Sequence, residues 1–264
     1  MKSLLIGFFA VLAVAAAAEA VGPWPGLAKS VATADVRYTA TRAHGTTTVR
    51  AVRRGKVVAS ARVAGAYGIP AVTSNGEAGG LSPDGRLLVL AAPPNFQSLR
   101  ARSRFLVLST RTLAARATVV LNGEFGFDAL SPDARTLYVI QHAWGDDLSR
   151  YVVRAYDLEA RRLGGAIVDK RAPDEAMRGL PLARAESATG ARVYTLYTGD
   201  EHAFVHALNT VKRTAFCIDL PFSADDYNLW TVKLALSRDA RELALRTPTG
   251  AVLATIDTKT LRVH

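Results

Sequence analysis

The sequence predicts an all-β fold built from repeated sheets, because a turn-and-strand phrase recurs and no long helical periodicity is present. The phrase is a polar turn followed by an apolar run. It reads LSPDGRLLVL from Leu81, LSPDARTLYVI from Leu130, SATGARVYTLY from Ser187 and LSRDARELAL from Leu236. The serines of successive copies lie 49, 56 and 50 residues apart. Recurrence at roughly 20–50 residues indicates a repeat architecture.

The turn of each phrase has a recognisable chemistry. Pro83 presets φ, Asp84 can accept hydrogen bonds from nearby backbone, and Gly85 tolerates a positive φ. Alanine stands at the glycine position in two later copies, Ala134 and Ala240. We therefore expect that the turn does not require a left-handed residue there. The runs that follow are continuously apolar, which is typical of strands covered on both faces.

Each repeat also contains a hairpin, as in SRFLVLSTRTLAARATVVL from Ser103 and YVVRAYDLEARRLGGAIV from Tyr151. Side chains that can cap a short turn recur between its strands. These are Ser109, Asp157, Asn209 and Asp257. A further hairpin copy begins at Thr46, ahead of the first phrase.

Four strands per unit, repeated at this spacing, predict a β-propeller of four-stranded blades. Four full copies and the leading hairpin indicate five blades. A six-bladed ring with one degenerate blade, using residues 21–35, is the alternative. The opening copy, from Val36 to Gly65, lacks a visible first strand, and the last copy ends at His264. We expect the two ends to pair and close the ring, which would remove exposed sheet edges.

The repeat resembles the YVTN/WD40-like β-propeller repeat of exported bacterial proteins. The matching residues are Ser82-Pro83-Asp84-Gly85-Arg86, Ser131-Pro132-Asp133, Asp257-Thr258-Lys259-Thr260 and the terminal glycines Gly65 and Gly123. The resemblance covers most of the chain after about residue 36. Longer stretches such as FDALSPDARTLYVIQ are similar to uncharacterised secreted proteins of actinobacterial type. The resemblance implies the fold and supplies no catalytic residues.

The first twenty residues predict a signal peptide. Lys2 precedes an apolar run from Leu4 to Ala18, and Ala18-Glu19-Ala20 fits a small-x-small cleavage site. The run is short for a membrane span, which needs roughly 20 apolar residues. We expect cleavage after residue 20, an N-terminal extension at 21–35 and a single propeller domain at 36–264. The expected product is secreted, without a membrane span, and monomeric. An uncleaved N-terminal anchor is the alternative.

Charge and cysteine content narrow the class of partner. The net charge is +10, from 33 basic and 23 acidic residues, which favours anionic surfaces. The basic residues are dispersed and form no aromatic–basic stripe, so nucleic acid is a poor prediction. The single cysteine, Cys217, lies in an apolar strand-like stretch and is predicted to be a small buried hydrophobe.

The loops between second and third strands share one face with the loops between blades, and this face carries the candidate ligand-binding residues. Four adjacent acidic pairs fall there, at 146–147, 174–175, 200–201 and 225–226. Paired carboxylates suit hard cations such as Ca²⁺, but acidic loop tips are more often solvated turns, and no calcium-loop spacing is present. The candidates on these loops are His142, Trp144, Asp146, Asp147, Asp200, Glu201 and His202.

Two further candidates lie toward the central channel. Asp128 and Arg184 stand in equivalent positions, three residues before their repeat serines. They predict either a charged channel that binds a polar ligand or an ion pair between blades. His202 and His206 are four apart, but the segment is predicted to be a loop entering a strand, which favours a structural role over a metal pair. We assign no catalytic or metal-ligating residues and no cofactor other than the Ca²⁺ alternative.

The preferred functional prediction is an exported, non-catalytic propeller that binds a partner through its loop-rich face. The partner would be a protein, a cell-surface glycan or an anionic envelope polymer. The alternative is a hydrolase, lactonase or lyase that uses the central mouth, with or without a divalent metal. That alternative requires the loop acids and histidines to meet near the axis, since the fold alone does not define an activity.

Overall fold

The computed structural model describes residues 25–95, 99–142, 150–172 and 177–264, and the described chain is all-β. Its one short helix is the 3₁₀ turn Leu229–Thr231. No helix in these ranges is long and apolar enough to cross a membrane. The strands form five antiparallel units of three or four strands that follow one another along the chain, together with one two-stranded sheet, which confirms the predicted β-propeller class.

We call the five units the first to fifth sheets, in chain order. The first contains β2 (Val31–Ala32), β3 (Arg37–Ala43), β4 (Thr46–Arg53) and β5 (Lys56–Ala64), while β1 (Leu27–Ala28) pairs with β6 (Ile69–Pro70). The second contains β7 (Leu87–Ala91), β8 (Arg102–Ser109) and β9 (Ala115–Asn122), and the third β10 (Glu124–Leu130), β11 (Thr136–His142), β12 (Val152–Asp157) and β13 (Arg162–Ile167). The fourth contains β14 (Pro181–Glu186), β15 (Arg192–Tyr197), β16 (Phe204–Asn209) and β17 (Thr214–Asp219), and the fifth β18 (Lys233–Leu236), β19 (Glu242–Arg246) and β20 (Val252–Asp257).

The first sheet is more complete than its sequence indicates. Val31 and Ala32 pair with Tyr38 and Arg37, so a short first strand is present. The sequence obscured it because a two-residue strand has no periodicity to detect. The expected domain boundary at residue 36 therefore falls inside this sheet.

The hydrophobic core lies between consecutive sheets. One cluster of buried side chains fills each of the four interfaces from the first–second to the fourth–fifth. The strand β11 shows how alternation serves two interfaces. Leu137 and Val139 pack toward the second sheet, and Tyr138 between them packs toward the fourth. All three are fully buried, as predicted for a strand covered on both faces.

A segment of the second unit forms hydrogen bonds with the fourth and fifth units. The inner edge of the second sheet is divided between Gly68, which bridges to Ala91, and Leu81, which bridges to Leu88. The chain between these two positions crosses to the fourth and fifth units. The Ser74 N–H donates to the Pro181 carbonyl at 2.7 Å. The Asn75 side-chain amide donates to the carbonyls of Leu182 at 2.9 Å and Trp230 at 3.0 Å.

The two ends of the described chain do not pair with each other, which corrects the prediction of ring closure. Val263 bridges to Ile256 within the fifth sheet, and the first strands pair only with residues of the first 70. The outward side chains of the two end sheets are exposed, among them Arg50 in the first and Ala235 in the fifth. Closure would bury arginine of one sheet against lysine of the other, which is unfavourable without acidic partners.

The phrase turns keep one geometry in every copy. Ala134 and Ala240 have φ of 56° and 57°, close to the 68° of Gly85. The expectation that no left-handed residue is needed was therefore wrong. The backbone bond that the residue donates to the serine carbonyl, 2.9 Å for Ala134 to Ser131, persists whichever residue occupies the position.

The predicted hairpin caps are confirmed at three of their four positions. The side-chain oxygens of Asp157, Asn209 and Asp257 each accept two backbone N–H groups two and three residues on. These bonds lower the pKa of the Asp157 and Asp257 carboxyls below the ordinary value. At Ser109 the described turn bonds are made by its backbone.

Candidate functional site

The candidate site lies at the loop-rich end of the third and fourth sheets and consists of two adjoining spaces. The central cavity is lined by residues between 25 and 197, among them Asp128, Glu124, His142, Tyr151 and Tyr197. The acidic cleft lies beside it. It is lined mainly by charged side chains: Arg150, Asp169, Arg178, Asp200, Glu201, His202 and Asp219.

A β-bulge directs Asp128 into the interior. Phe127 pairs with Val139 and Ala129 pairs with Tyr138, so Asp128 is the extra residue of β10. An extra residue changes the direction of the strand and of its side chains. Asp128 is only 5% exposed, which is unusual for a carboxylate without a strong partner.

That partner is Arg184 on the neighbouring sheet. Its Nη1 donates to Asp128 Oδ1 at 2.8 Å, and its Nη2 donates to the Asp128 carbonyl at 2.6 Å. Its Nε donates to Glu186 at 2.7 Å. Burial works against the Arg184 charge, but the carboxylates of Glu186 and Asp128 outweigh it and raise the arginine pKa above its ordinary value. The pair therefore joins two sheets, as one of the two sequence interpretations predicted.

Three buried polar atoms near this pair have no hydrogen-bond partner in the described chain. They are Asp128 Oδ2, Tyr151 Oη and His206 Nε2. Burial lowers the pKa of His206 to about 4, so its imidazole is neutral at pH 7. Burial also raises the pKa of Tyr151 well above its ordinary value. The wall of the cavity thus offers one free carboxylate oxygen and a neutral phenol.

The central cavity is small. About 40 Å³ of it is open to the centre of a water-sized sphere. This is enough for a few water-sized groups and far less than the roughly 300 Å³ of an organic-ligand site. The cavity can therefore hydrate its polar wall or accept a small donor group, and it does not accommodate a sugar or lactone.

A clamp closes one side of the cavity. Arg100 Nε donates to both carboxylate oxygens of Glu124 at 2.8 and 2.9 Å, and its Nη1 donates to the Ala92 and Pro93 carbonyls. Glu124 is 2% exposed and Arg100 is mostly buried. The described ends of the loop at 91–102 are consequently anchored to the third sheet.

An aromatic stack separates the cavity from the cleft. The rings of Tyr151 and Tyr197 are stacked with centroids 4.7 Å apart, and those of Tyr197 and Phe204 are stacked at 5.3 Å. Tyr151 and Tyr197 line the cavity, whereas Phe204 lines the cleft. The two spaces are therefore neighbours without being one pocket.

The acidic cleft is the larger space, with about 610 Å³ open to the centre of a water-sized sphere. Among the residues that the structure describes, four carboxylates and two guanidinium groups line it. Its excess of acid contrasts with the net charge of +10 of the whole chain. A volume in the range of 300–1,000 Å³ is typical of ligand sites.

Asp169 forms the floor of the cleft. The Arg171 side chain donates to it at 3.0 and 3.1 Å, and the Cys217 N–H donates at 2.9 Å. Burial opposes its ionisation, but these hydrogen bonds outweigh burial and lower the pKa of Asp169. Cys217 is partly buried against the core, somewhat more open than predicted.

The rim of the cleft is formed by the loop between β15 and β16. Asp200 pairs with Arg178 at 3.2 Å, and both are partly exposed. Glu201 and His202 are exposed beside them. Gly199 shapes this loop, because its φ is +65° and a Cβ there would lie 1.8 Å from the His202 carbonyl oxygen.

The structure divides the sequence-predicted residues between these places. His142 and Asp128 line the cavity, Arg184 lies behind it, and Asp200, Glu201 and His202 line the cleft. Trp144, Asp146 and Asp147 lie outside the described residues, as does the pair at 174–175. Of the loop acids and histidines that an enzyme would bring together, the structure describes His142 in the cavity and Asp200, Glu201 and His202 in the cleft. The described ranges contain no group of three or more His, Cys, Asp or Glu side chains that could hold a metal ion.

Sequence reasoning missed Glu124, Tyr151 and Asp169. A signal existed for Glu124, because it opens an otherwise apolar stretch, EFGFDAL, at the start of a strand. Asp169 has one local partner, since the backbone and side chain of Arg171, two residues on, donate to it, but its bond from the Cys217 N–H spans 48 residues. Tyr151 carries no local signal, because its stacking partner Tyr197 lies on another sheet.

The chain is similar to several solved structures. A protein of unknown function from Desulfotomaculum acetoxidans matches with a TM-score of 0.55 and 12% identity over 90% of this chain and 68% of that one. A putative 6-phosphogluconolactonase from Bacteroides uniformis gives 0.49 and 14% over 89% and 68%. The Cps50 (Swd1) β-propeller domain of Myceliophteria thermophila gives 0.48 and 12% over 89% and 65%. At these identities the similarity concerns the fold alone.

No protein-family model matches the chain. No curated protein matches it either.

Proposed function

We propose that this protein is an exported, non-catalytic β-propeller that binds a basic segment of a protein partner in the acidic cleft. The observation that carries the proposal is the cleft itself, an acid-lined space of about 610 Å³ in a chain of net charge +10. Of the partners considered, a protein with lysine or arginine side chains suits four clustered carboxylates best, since opposite potentials favour association.

The details of recognition follow from the exposure of the rim. Glu201 and Asp219 are exposed and are the acids available to the partner, whereas Asp169 is held by Arg171. Phe204 supplies an apolar wall beside them. Because the rim charges are solvated and salt screens them, binding of the partner should weaken as the salt concentration rises. We propose that the protein is monomeric and uses no cofactor.

Two sequence features extend the proposal. The apolar run at 4–18 and the Ala18-Glu19-Ala20 site support export and cleavage. The turn Ser82–Gly85 and the Asp257-Thr258-Lys259-Thr260 segment support membership of the YVTN/WD40-like repeat type.

The test is capture from the envelope fraction of the producing cell, followed by direct binding to the captured partner. The cleft variant is Glu201→Gln with Asp219→Asn. The matched control is Glu159→Gln with Glu242→Gln, which removes two exposed acids away from the cleft. We expect the wild type and control to retain the partner and the cleft variant to lose most of it. Equal retention by the cleft variant would contradict the proposal.

A further inference from the structure

The first sheet contains most of the excess positive charge of the protein. Between Asp35 and Glu77 the sequence contains no aspartate or glutamate. The same stretch contains seven lysine and arginine residues: Arg37, Arg42, Arg50, Arg53, Arg54, Lys56 and Arg62. The whole chain has a net charge of +10, so this one sheet contributes most of it.

Three of these arginines share the outward face of the first sheet. Arg50 on β4 lies opposite Thr39 on β3 and Ser60 on β5. Arg37 lies two residues from Thr39, and Arg62 lies two residues from Ser60, in opposite directions along the sheet. Residues two apart on a strand share a face, so all three arginines point to the same side.

The register places them in a diagonal row. Each step of the row joins a residue to the diagonal neighbour on the next strand, which is roughly 7–8 Å away. The row from Arg37 through Arg50 to Arg62 thus crosses three strands with even spacing. The hydroxyls beside it belong to Thr39, Thr41, Thr48 and Ser60.

This arginine row is open to solvent. Arg37, Arg50 and Arg62 are all exposed, and none of them is in an ion pair within the described parts of the chain. The face is open because the fifth sheet does not pack on it. A second copy of the chain is a poor occupant, since its fifth sheet would bring the exposed Lys233 and Arg246 toward like charges.

We propose that the arginine row binds a linear phosphate-bearing polyanion laid diagonally across the first sheet. Guanidinium groups bind phosphate oxygens through paired N–H donors, and the neighbouring hydroxyls add further donors. A regular row suits a chain with regularly spaced charges better than a single compact anion. The surface is separate from the acidic cleft and does not depend on the proposed function.

The test is the binding of fluorescently labelled long-chain inorganic polyphosphate, followed by anisotropy over a series of NaCl concentrations. The row variant is Arg37→Gln, Arg50→Gln and Arg62→Gln. The matched control is Arg102→Gln, Arg104→Gln and Arg116→Gln, which removes the same charge from exposed positions of the second sheet. Melting temperatures of both variants establish that they are folded, and the single reversal Arg50→Glu provides an independent check.

We expect the wild type to bind the polymer and to ignore the same amount of phosphate supplied as orthophosphate. The row variant should lose about tenfold or more in affinity. The slope of its plot of log K against log salt should become less negative by about 2, which is roughly 0.7 for each lost contact. The control should change by less than about threefold, and Arg50→Glu should weaken binding more than the triple control substitution does.

Other results would overturn the proposal. Equal losses in both triple variants would show that net charge alone drives binding. Val57 and Val58 are 56% and 54% exposed near one end of the row, so anionic lipid vesicles are included as a competing ligand. Binding to vesicles without binding to polyphosphate would assign the face to a membrane surface instead.

Discussion

Arg184 of the fourth sheet donates hydrogen bonds to the carboxylate and to the backbone carbonyl of Asp128 of the third sheet, at 2.8 and 2.6 Å. The arginine side chain is 3% exposed and the aspartate side chain 7%. This contact joins the β-bulge at Asp128 to the neighbouring sheet, and it forms the back wall of the central cavity.

Breaking this pair from one side should destabilise the protein strongly. We expect Arg184→Met to lower the free energy of unfolding by about 3–5 kcal/mol, because it leaves a buried carboxylate without its partner. The double variant Asp128→Leu, Arg184→Met should lose less than Arg184→Met alone, since it leaves neither charge buried. Urea denaturation of the wild type, Asp128→Leu, Arg184→Met and the double variant measures the cycle. A cost below about 1 kcal/mol for Arg184→Met would show that the pair is not buried as described.

Neutral His206 should make stability depend on pH. Its folded-state pKa of about 4 lies below the ordinary 6.5, so the unfolded chain binds the proton first as pH falls. Stability is therefore lost on acidification from pH 6.5 toward 4. The contribution amounts to about 2 kcal/mol between pH 7 and pH 5.

The variant His206→Gln isolates this contribution. We expect its loss of stability between pH 7 and pH 5 to be smaller than that of the wild type by about this 2 kcal/mol. NMR titration of the His206 ring gives the pKa directly. A midpoint near 6.5 would contradict the burial of this imidazole.

The rim loop of the cleft should depend on Gly199. We expect Gly199→Ala to displace the 198–202 loop, because its Cβ would lie 1.8 Å from the His202 carbonyl oxygen. Gly250→Ala is the matched control, since its φ of +89° is equally strained but nothing lies within 4 Å of the added Cβ. Partner binding and melting temperature should fall further for Gly199→Ala than for the control. Identical behaviour of the two would mean that the loop has another conformation.

Replacing either alanine that has a positive φ by glycine should stabilise the fold. Ala134→Gly and Ala240→Gly relieve strain of about 1–2 kcal/mol and add an entropic cost of about 0.5–1 kcal/mol, so each should stabilise the fold by roughly 0.5–1 kcal/mol. Ala166→Gly, on the exposed strand β13, is the control and should destabilise. Urea midpoints decide between the two signs. Destabilisation at 134 and 240 would contradict the positive φ.

Local chemistry was predictable from sequence, and long-range pairing was not. The turn serines and the caps at Asp157 and Asp257 act on backbone within a few residues, so spacing reveals them. Asn75 meets Leu182, and Arg100 meets Glu124, only because sheets meet in space. The prediction of ring closure was wrong for the same reason. The repulsion between the arginines of the first sheet and the lysine of the fifth becomes visible only when the outward faces of both sheets are known.

The site was predicted in part for the same physical reason. Charged residues on loops marked Asp200, Glu201 and His202, and these three do lie together. Asp169 and Glu124 sit at strand ends, where a charge is ordinary until its burial is seen.

In the described chain, the first to fifth sheets form an open stack whose two end faces meet solvent. Cysteine reactivity tests this arrangement most directly, using Ser60→Cys and Ala235→Cys in a Cys217→Ser background. Thr112→Cys, in an exposed turn, and Ala129→Cys, at a buried position, are the references. We expect both end-face cysteines to react within about threefold of Thr112→Cys while Ala129→Cys stays protected. Protection of both end-face cysteines to the level of Ala129→Cys would mean that the first and fifth sheets pack together and the ring is closed.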